Sequence, residues 1–317
     1  MTVGVISHQK CSGHKMGNYH PESPKRMSAI QDQLIRSGLE YVIRQYDATP
    51  IDRELISLAH DENYIKHIFD NAPERSDPEA IFRIDDDTFM NADTLPAALL
   101  SAGAVINAVD LVMAKTLSSA FCATRPPGHH AEYDKGMGFC FFNNIAIAAA
   151  YAKEKYQLER IAIVDFDVHH GNGTEDIIKR ATAKNKDAGY LFCSTYQYPF
   201  YPFKMQESDT PPMINTPLPA TCKGPEFREA IRHHWLPALE RFKPQMVFIS
   251  AGFDAHIEDE MSQISLTESD YRWVTDELKT IADQHSEGRI ISTLEGGYAL
   301  SALGRSVVEH IKGLMGH

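Results

Sequence analysis

The chain has 317 residues, a formal charge of -12, 43% hydrophobic and 23% charged residues, a composition that supports a sizeable core and excludes large-scale disorder. The negative charge argues against a nucleic-acid binder, whose affinity rests on Lys and Arg neutralising phosphates, and fits a cationic partner or simple solubility. Five cysteines, an odd number without CxxC spacing, indicate neither a disulfide framework nor a cysteine-rich metal site and point to a reducing, cytoplasmic setting.

The first residues, MTVGVISHQKCSGHK, lack the apolar stretch of a leader, and no apolar run is expected to reach bilayer-spanning length, so no membrane role is expected. No repeat, low-complexity tract or linker divides residues 1–317, which read as one domain, and the polar stretch 70–87 reads as an elaborated loop. Further on, apolar runs at 119–124, 161–166, 190–194, 246–250 and 289–294 predict strands buried on both faces. Helices are predicted over 143–155, over 225–242 and from Thr267, where Thr267 and Asp270 resemble an N-cap and its N3 partner. The alternation specifies an α/β fold, an open, mostly parallel sheet with helices on both faces.

In such sheets ligands gather beyond the carboxyl ends of the strands, and the unusual residues of this chain follow its strands. The first strand runs into Arg125-Pro126-Pro127-Gly128-His129-His130 and the second into Asp165-Phe166-Asp167-Val168-His169-His170-Gly171-Asn172-Gly173. The fourth reaches Ala251-Gly252-Phe253-Asp254 and the last Glu295-Gly296-Gly297-Tyr298. In extended backbone Asp165, Asp167 and His169 project to one side and Phe166, Val168 and His170 to the other. Joined by Asp254, that row offers a divalent metal three protein ligands, one imidazole and two carboxylates, with positions left open for water and substrate. Taken singly, each residue could be a turn or capping group, but several ionisable side chains crowded after an apolar strand need a metal or a dense hydrogen-bond network. Imidazole favours zinc over magnesium, while iron, cobalt and manganese accept the same donors; a two-manganese site would need further ligands beyond Asp165.

Spacing alone leaves His129 and His130 as solvated residues, ligands or proton carriers. Beside a metal-activated water, one would act as general base and the other would help protonate a leaving amine, with Asp165 and Asn172 available to fix their tautomers. Tyr298, after Gly296 and Gly297, is either a core tyrosine at a turn or a phenol donor to a developing oxyanion.

Taken together, His20-Pro21-Glu22 with Arg26, RPPGHH at 125–130, GMGFCFFNN at 136–144, DFDVHHGNGT from Asp165, AGFDAH at 251–256 and LEGGY at 294–298 resemble the zinc-dependent histone deacetylase superfamily. GNG and LEGGY look like its class II and bacterial branches, which include acetylpolyamine amidohydrolase relatives. The resemblance implies the arginase/deacetylase fold and one zinc on Asp167, His169 and Asp254. It pairs His129 with Asp165 and His130 with Asn172, makes His130 the principal general base, and lets Tyr298 polarise the substrate carbonyl. Gly138, Phe139 and Phe200 would line the substrate channel, with Met261 at its rim, and a potassium ion would sit near Asp165, Asp167, His169 and Ser194. Arg26 matches a position lining an internal path beneath the metal, with a surface salt bridge as its plainer reading.

The implied reaction removes acetyl groups from lysine side chains of proteins, releasing acetate. The alternative substrate is an acetylated polyamine or another small acylated amine, for which Asp85, Asp86, Asp87, Glu258, Asp259 and Glu260 would be entrance carboxylates. A non-catalytic acetyl-lysine binder is a third reading, opposed by retention of every catalytic group. The partner is thus an acetylated lysine peptide or small acetylated amine; a homo-oligomer is left open. The sequence departs from the family's usual Asp-Pro at Asp259-Glu260-Met261, in the stretch that would shape the channel rim.

Overall fold

In the computed structural model, which describes residues 2–77, 79–203 and 208–316, the anticipated apolar runs become neighbouring strands. The first part of the chain forms β1 (Val3–Ser7), α1 (Lys25–Arg36), β2 (Arg44–Asp47), α2 (Arg53–Ile56), α3 (Glu62–Asp70), β3 (Phe82–Arg83), β4 (Phe89–Met90) and α4 (Thr94–Met113). The middle forms β5 (Ser119–Cys122), α5 (Asn144–Tyr156), β6 (Ile161–Asp165), α6 (Asn172–Lys184), β7 (Tyr190–Gln197), β8 (Ser208–Thr210) and β9 (Met213–Leu218). The rest forms α7 (Gly224–Ala230), α8 (Leu236–Phe242), β10 (Met246–Ala251), α9 (Glu268–His285), β11 (Ile290–Leu294) and α10 (Leu300–Met315).

One nine-stranded sheet runs in the order β2-β1-β5-β11-β10-β6-β7-β9-β8, parallel throughout except for β8, which is antiparallel to β9. Along β6, Ile161 and Ile163 pack towards α4 and α5, while Ala162 and Val164 pack towards α1, α9 and α10. Met246 and Phe248 alternate with Val247 and Ile249 in the same way along β10. This period of two on a sheet covered on both faces explains why the strands read as unbroken apolar runs.

Thr267 and Asp270 form the expected capping box of α9, and Asn143 caps α5 by accepting from the Ala146 N–H. The predicted helix 225–242 contains a π turn at Ile231–Trp235 between α7 and α8. The loop at 70–87 is more ordered than expected, since β3 within it pairs with β4 as a short hairpin. The expectation about apolar runs needs correction. The 20-residue α4 has the length and composition to cross a bilayer, yet Ala98, Ala102, Val105 and Val109 are buried against the sheet and neighbouring helices. Its apolarity is that of a core helix surrounded by protein.

Candidate active site

The four strands β5, β11, β10 and β6 are adjacent in the sheet, so the segments that follow them converge on one rim. Asp167, His169 and Asp254 meet there, their ligand atoms all within 4.8 Å of one another. His169 Nδ1 lies 3.1 Å from Asp167 Oδ1 and 3.2 Å from Asp254 Oδ2. Backbone donors aim the carboxylates: Val168 N–H donates to Asp254 Oδ1 at 3.0 Å, and Gly296 N–H donates to Asp167 Oδ2 at 2.8 Å.

Two observations show that this set fits a metal ion. One imidazole N–H cannot serve both carboxylates, and Asp254 Oδ2 is left buried without a hydrogen-bond partner. The cluster also has room only because glycines surround it: a Cβ on Gly252 would stand 2.0 Å from Asp167 Oδ2, and one on Gly296 would stand 2.1 Å from Asp254 Oδ2. With only protons to balance the charge, burial opposes an imidazolium at His169, yet Asp167 and Asp254 outweigh it and lift the group to about 9. Burial, reinforced by Asp167, lifts Asp254 to about 6. A dry cluster of this kind calls for a cation with more than one charge. Among the described residues it is the one such group of acidic, histidine or cysteine side chains.

The two adjacent histidines face this cluster with ring centroids 4.0 Å apart. His129 Nδ1 meets Asp165 Oδ2 at 2.9 Å, and His130 Nδ1 meets Asn172 Oδ1 at 2.6 Å. Burial would lower His129, but Asp165 and Asp167 overcome it and raise the group to about 10. Burial and the neighbouring His129 and His169 push His130 well below the usual range. Paired titratable groups with opposed shifts are a signature of acid and base assignment. Ser194 lies opposite Asp165 in the β6–β7 register, and its buried Oγ lacks a hydrogen-bond partner.

Tyr298 sits on a loop held from two sides. Arg26 is fully buried; it donates from Nε to the Gly297 carbonyl at 2.7 Å and from Nη2 to the Glu295 carbonyl, with its guanidinium 5.0 Å from the Tyr298 ring centre. The surface salt-bridge reading of Arg26 is therefore wrong, because its partner Glu22 is buried with it and also holds Arg125. From the other side Asp259 Oδ2 accepts from the N–H groups of Tyr298 at 2.6 Å and Ala299 at 2.9 Å, while Oδ1 accepts from Met261 N–H at 3.0 Å. Asp259 is buried, which removes it from the entrance carboxylates.

Of the channel residues, Gly138 lies against His130, where a Cβ would stand 2.4 Å from the ring. Phe139 packs edge-on to Tyr298 at 6.0 Å, and Phe200 stacks on His169 at 5.2 Å. Met261 shares the Asp259 turn with the support of Tyr298. Sequence reasoning missed Tyr201, whose ring stands edge-on to His130 at 5.2 Å. It also gave Glu295 no role, although its Oε2 accepts from the N–H groups of Gly128 at 2.7 Å and His129 at 3.1 Å, and its Oε1 accepts from the Ser250 hydroxyl. Burial lifts this carboxyl to about 7. A glutamate inside an apolar, glycine-rich segment was the available signal.

The sequence pattern of the family described as "Histone deacetylase domain" matches residues 20–314. This chain belongs to the histone deacetylase family. The deacetylase is 35% identical to Histone deacetylase 10, chloroplastic, of Oryza sativa subsp. japonica, over 96% of this chain and 72% of that protein. It is 34% identical to Polyamine deacetylase HDAC10 of Mus musculus, over 93% of this chain but 45% of that longer protein. The structure titled "Crystal Structure of HDA15 HD domain" superposes with a TM-score of 0.89 at 27% identity, covering 100% of this chain and 88% of that one. The deacetylase thus has the arginase/deacetylase fold, and its family activity is hydrolytic deacetylation.

Proposed function

We propose that the chain is a zinc-dependent hydrolase of N-acetyl amides acting on acetyl-lysine side chains of proteins. The observation that carries this reading is the buried Asp167, His169 and Asp254 cluster, with its unpartnered carboxylate oxygen, beneath two imidazoles whose Nδ1 atoms are already engaged. Zinc held by these three side chains would supply Lewis acidity to the acyl carbonyl and to the attacking water. His130, neutral and bonded through Nδ1 to Asn172, offers Nε2 to take the proton of that water. His129, paired through Nδ1 with Asp165, would supply positive charge beside the reacting carbon when its second nitrogen is protonated. Burial raises the Tyr298 phenol well above its ordinary value, so it stays protonated and donates to the carbonyl oxygen as negative charge develops. The C–N bond breaks as the amine nitrogen takes the proton, leaving acetate and free amine.

The choice of acetyl-lysine rests on the rim. An acetylated polyamine needs free carboxylates near the entrance, but Asp85 pairs with Lys135, Asp86 with Arg83 and Glu258 with Arg305. Asp259 serves backbone N–H groups. Exposed apolar residues flank the channel instead: Phe203 against Tyr201, and Tyr19 next to His20, whose ring packs on Phe139. Two observations favour the small-amine reading: Asp87 accepts from the Gly138 N–H at 3.2 Å and so stands beside the channel wall, and Glu260 is exposed, with no ion pair among the described residues. A potassium ion near the Asp165, Asp167 and His169 backbone and Ser194 is part of the proposal, supported by the unpartnered Ser194 hydroxyl. So is a cytoplasmic setting, supported by five buried free cysteines.

The test compares hydrolysis of an acetyl-lysine peptide and an acetylated polyamine, before and after chelation. Chelator-sensitive release of acetate from the peptide is expected. Turnover of neither substrate would end the hydrolase reading, and preference for the polyamine would move the substrate to the second reading.

A further inference from the structure

Asn172 orients His130 through an amide, and an amide has two unlike ends. Its Oδ1 lies 2.6 Å from His130 Nδ1. Its Nδ2 lies 2.7 Å from Glu132 Oε1, with the Met137 sulfur and the His130 carbonyl oxygen each at 3.5 Å. Turned over, the amide would press Oδ1 against a carboxylate and two further acceptors, and would offer an N–H to His130 in place of an oxygen. A carboxylate accepts and cannot donate, and its bond to an amide N–H is charge-assisted, so Glu132 decides which end faces the imidazole.

Glu132 is built to do this. Its own N–H donates to the Lys135 carbonyl at 2.9 Å, closing the turn just after His130, while the Lys135 ammonium is drawn off to Asp85 at 3.1 Å. The Glu132 carboxylate is thereby left to Asn172. An aspartate at 172 would accept from His130 through either oxygen; the neutral asparagine needs a partner to choose its orientation.

We propose that Glu132 is a positioning residue for the deacetylation. By holding the Asn172 oxygen towards His130 it keeps the imidazole proton on Nδ1 and leaves the Nε2 lone pair free as the base. The inference rests on the reading of His130 as base given above.

The zinc-loaded full chain tests it through three variants, Glu132→Gln, Glu132→Lys and Glu132→Lys with Asn172→Asp. Glutamine still presents an oxygen to Asn172, so Glu132→Gln should keep kcat within about threefold. Lysine offers only donors and should turn the amide over, lowering kcat at least about tenfold at unchanged KM and zinc content. Adding Asn172→Asp should restore most of the loss, because aspartate accepts from both neighbours. A second readout needs no turnover: in 15N-histidine-labelled protein, the His130 Nε2 resonance should lie in the unprotonated range in the parent chain and move towards the protonated range in Glu132→Lys. A Glu132→Lys variant with parent kcat, or with an unmoved His130 tautomer, would overturn the proposal. An inactive parent chain whose His130 tautomer still follows residue 132 would sink the hydrolase reading and leave the positioning role standing.

Discussion

Gly296→Ala isolates the metal cluster from the rest of the fold. Gly296 is not among the residues with positive φ, so alanine is tolerated by the backbone and the effect is that of one methyl group. That methyl would stand 2.1 Å from Asp254 Oδ2 and 2.6 Å from Asp167 Oδ2, where real contacts do not fall below 3.0 Å. Asp254 Oδ2 must therefore retreat by about 0.9 Å and Asp167 Oδ2 by about 0.4 Å. Asp167 is least free to move, because Oδ2 accepts from the Gly296 N–H itself at 2.8 Å. Metal-ligand distances tolerate changes of about 0.2 Å, so both carboxylates leave the productive range. Zinc affinity should fall at least about 100-fold, or ~2.8 kcal/mol. The measurement is a zinc titration against a chromophoric chelator, with circular dichroism confirming that the fold is retained. Parent affinity in a folded Gly296→Ala protein would refute the assignment of the metal to these carboxylates.

Tyr298→Phe should lower kcat at least about 100-fold while zinc content by mass spectrometry stays near one per chain, since the lost phenol is an oxyanion donor and not a ligand. Asp259→Ala removes the acceptor shared by the Tyr298, Ala299 and Met261 N–H groups; kcat should fall about tenfold or more with zinc retained, and equal kcat would show that the loop holds itself. Glu22→Gln leaves Arg26 and Arg125 buried against a neutral partner and should cost about 3–5 kcal/mol in denaturant unfolding. Burial opposes ionisation of Glu22, but Arg125, His14 and Arg26 outweigh it and hold the carboxyl at about 2 against an ordinary 4.5. A depressed carboxyl stabilises the fold above its unfolded value and loses that contribution as pH falls through its folded one. Stability worth about 3 kcal/mol should thus disappear from the parent between about pH 4.5 and 2 and not from Glu22→Gln. Parallel pH profiles for the two proteins would disprove this.

The ligand row illustrates how far local pattern reaches. Alternation along Asp165, Asp167 and His169 predicts a row on one side, because an extended backbone has a period of two. But β6 ends at Asp165 and the backbone bends through residues 167–169, so it is the loop that brings Asp167 and His169 to Asp254. The apolar runs behind them are legible from the same period of two, and the capping pair Thr267 and Asp270 needs only four residues of context. Family motifs carried the roles of His129, His130 and Tyr298 beyond what spacing allowed, and the structure brings these side chains to the same rim as the ligand row.

Contacts made across the fold behave differently. For Arg26 the resemblance implied an internal path and local sequence allowed a surface salt bridge; its burial is decided only where β11 ends against it and presents the carbonyls of Glu295 and Gly297, residues 269 and 271 positions away. Asp259 reads as one acid among several at a rim, and only the approach of the Tyr298 loop converts it into a buried acceptor. The resemblance named Phe200 and not Tyr201, and their contacts with His169 and His130 depend on the path taken beyond β7. The sequence by itself thus determined the five central strands β5, β6, β7, β10 and β11 and the chemistry of the donors, but not the flanking β1, β2, β8 and β9. Tertiary structure decided which charged groups are buried and which amide end meets His130, because both follow from strand order and loop convergence over separations that no local periodicity encodes.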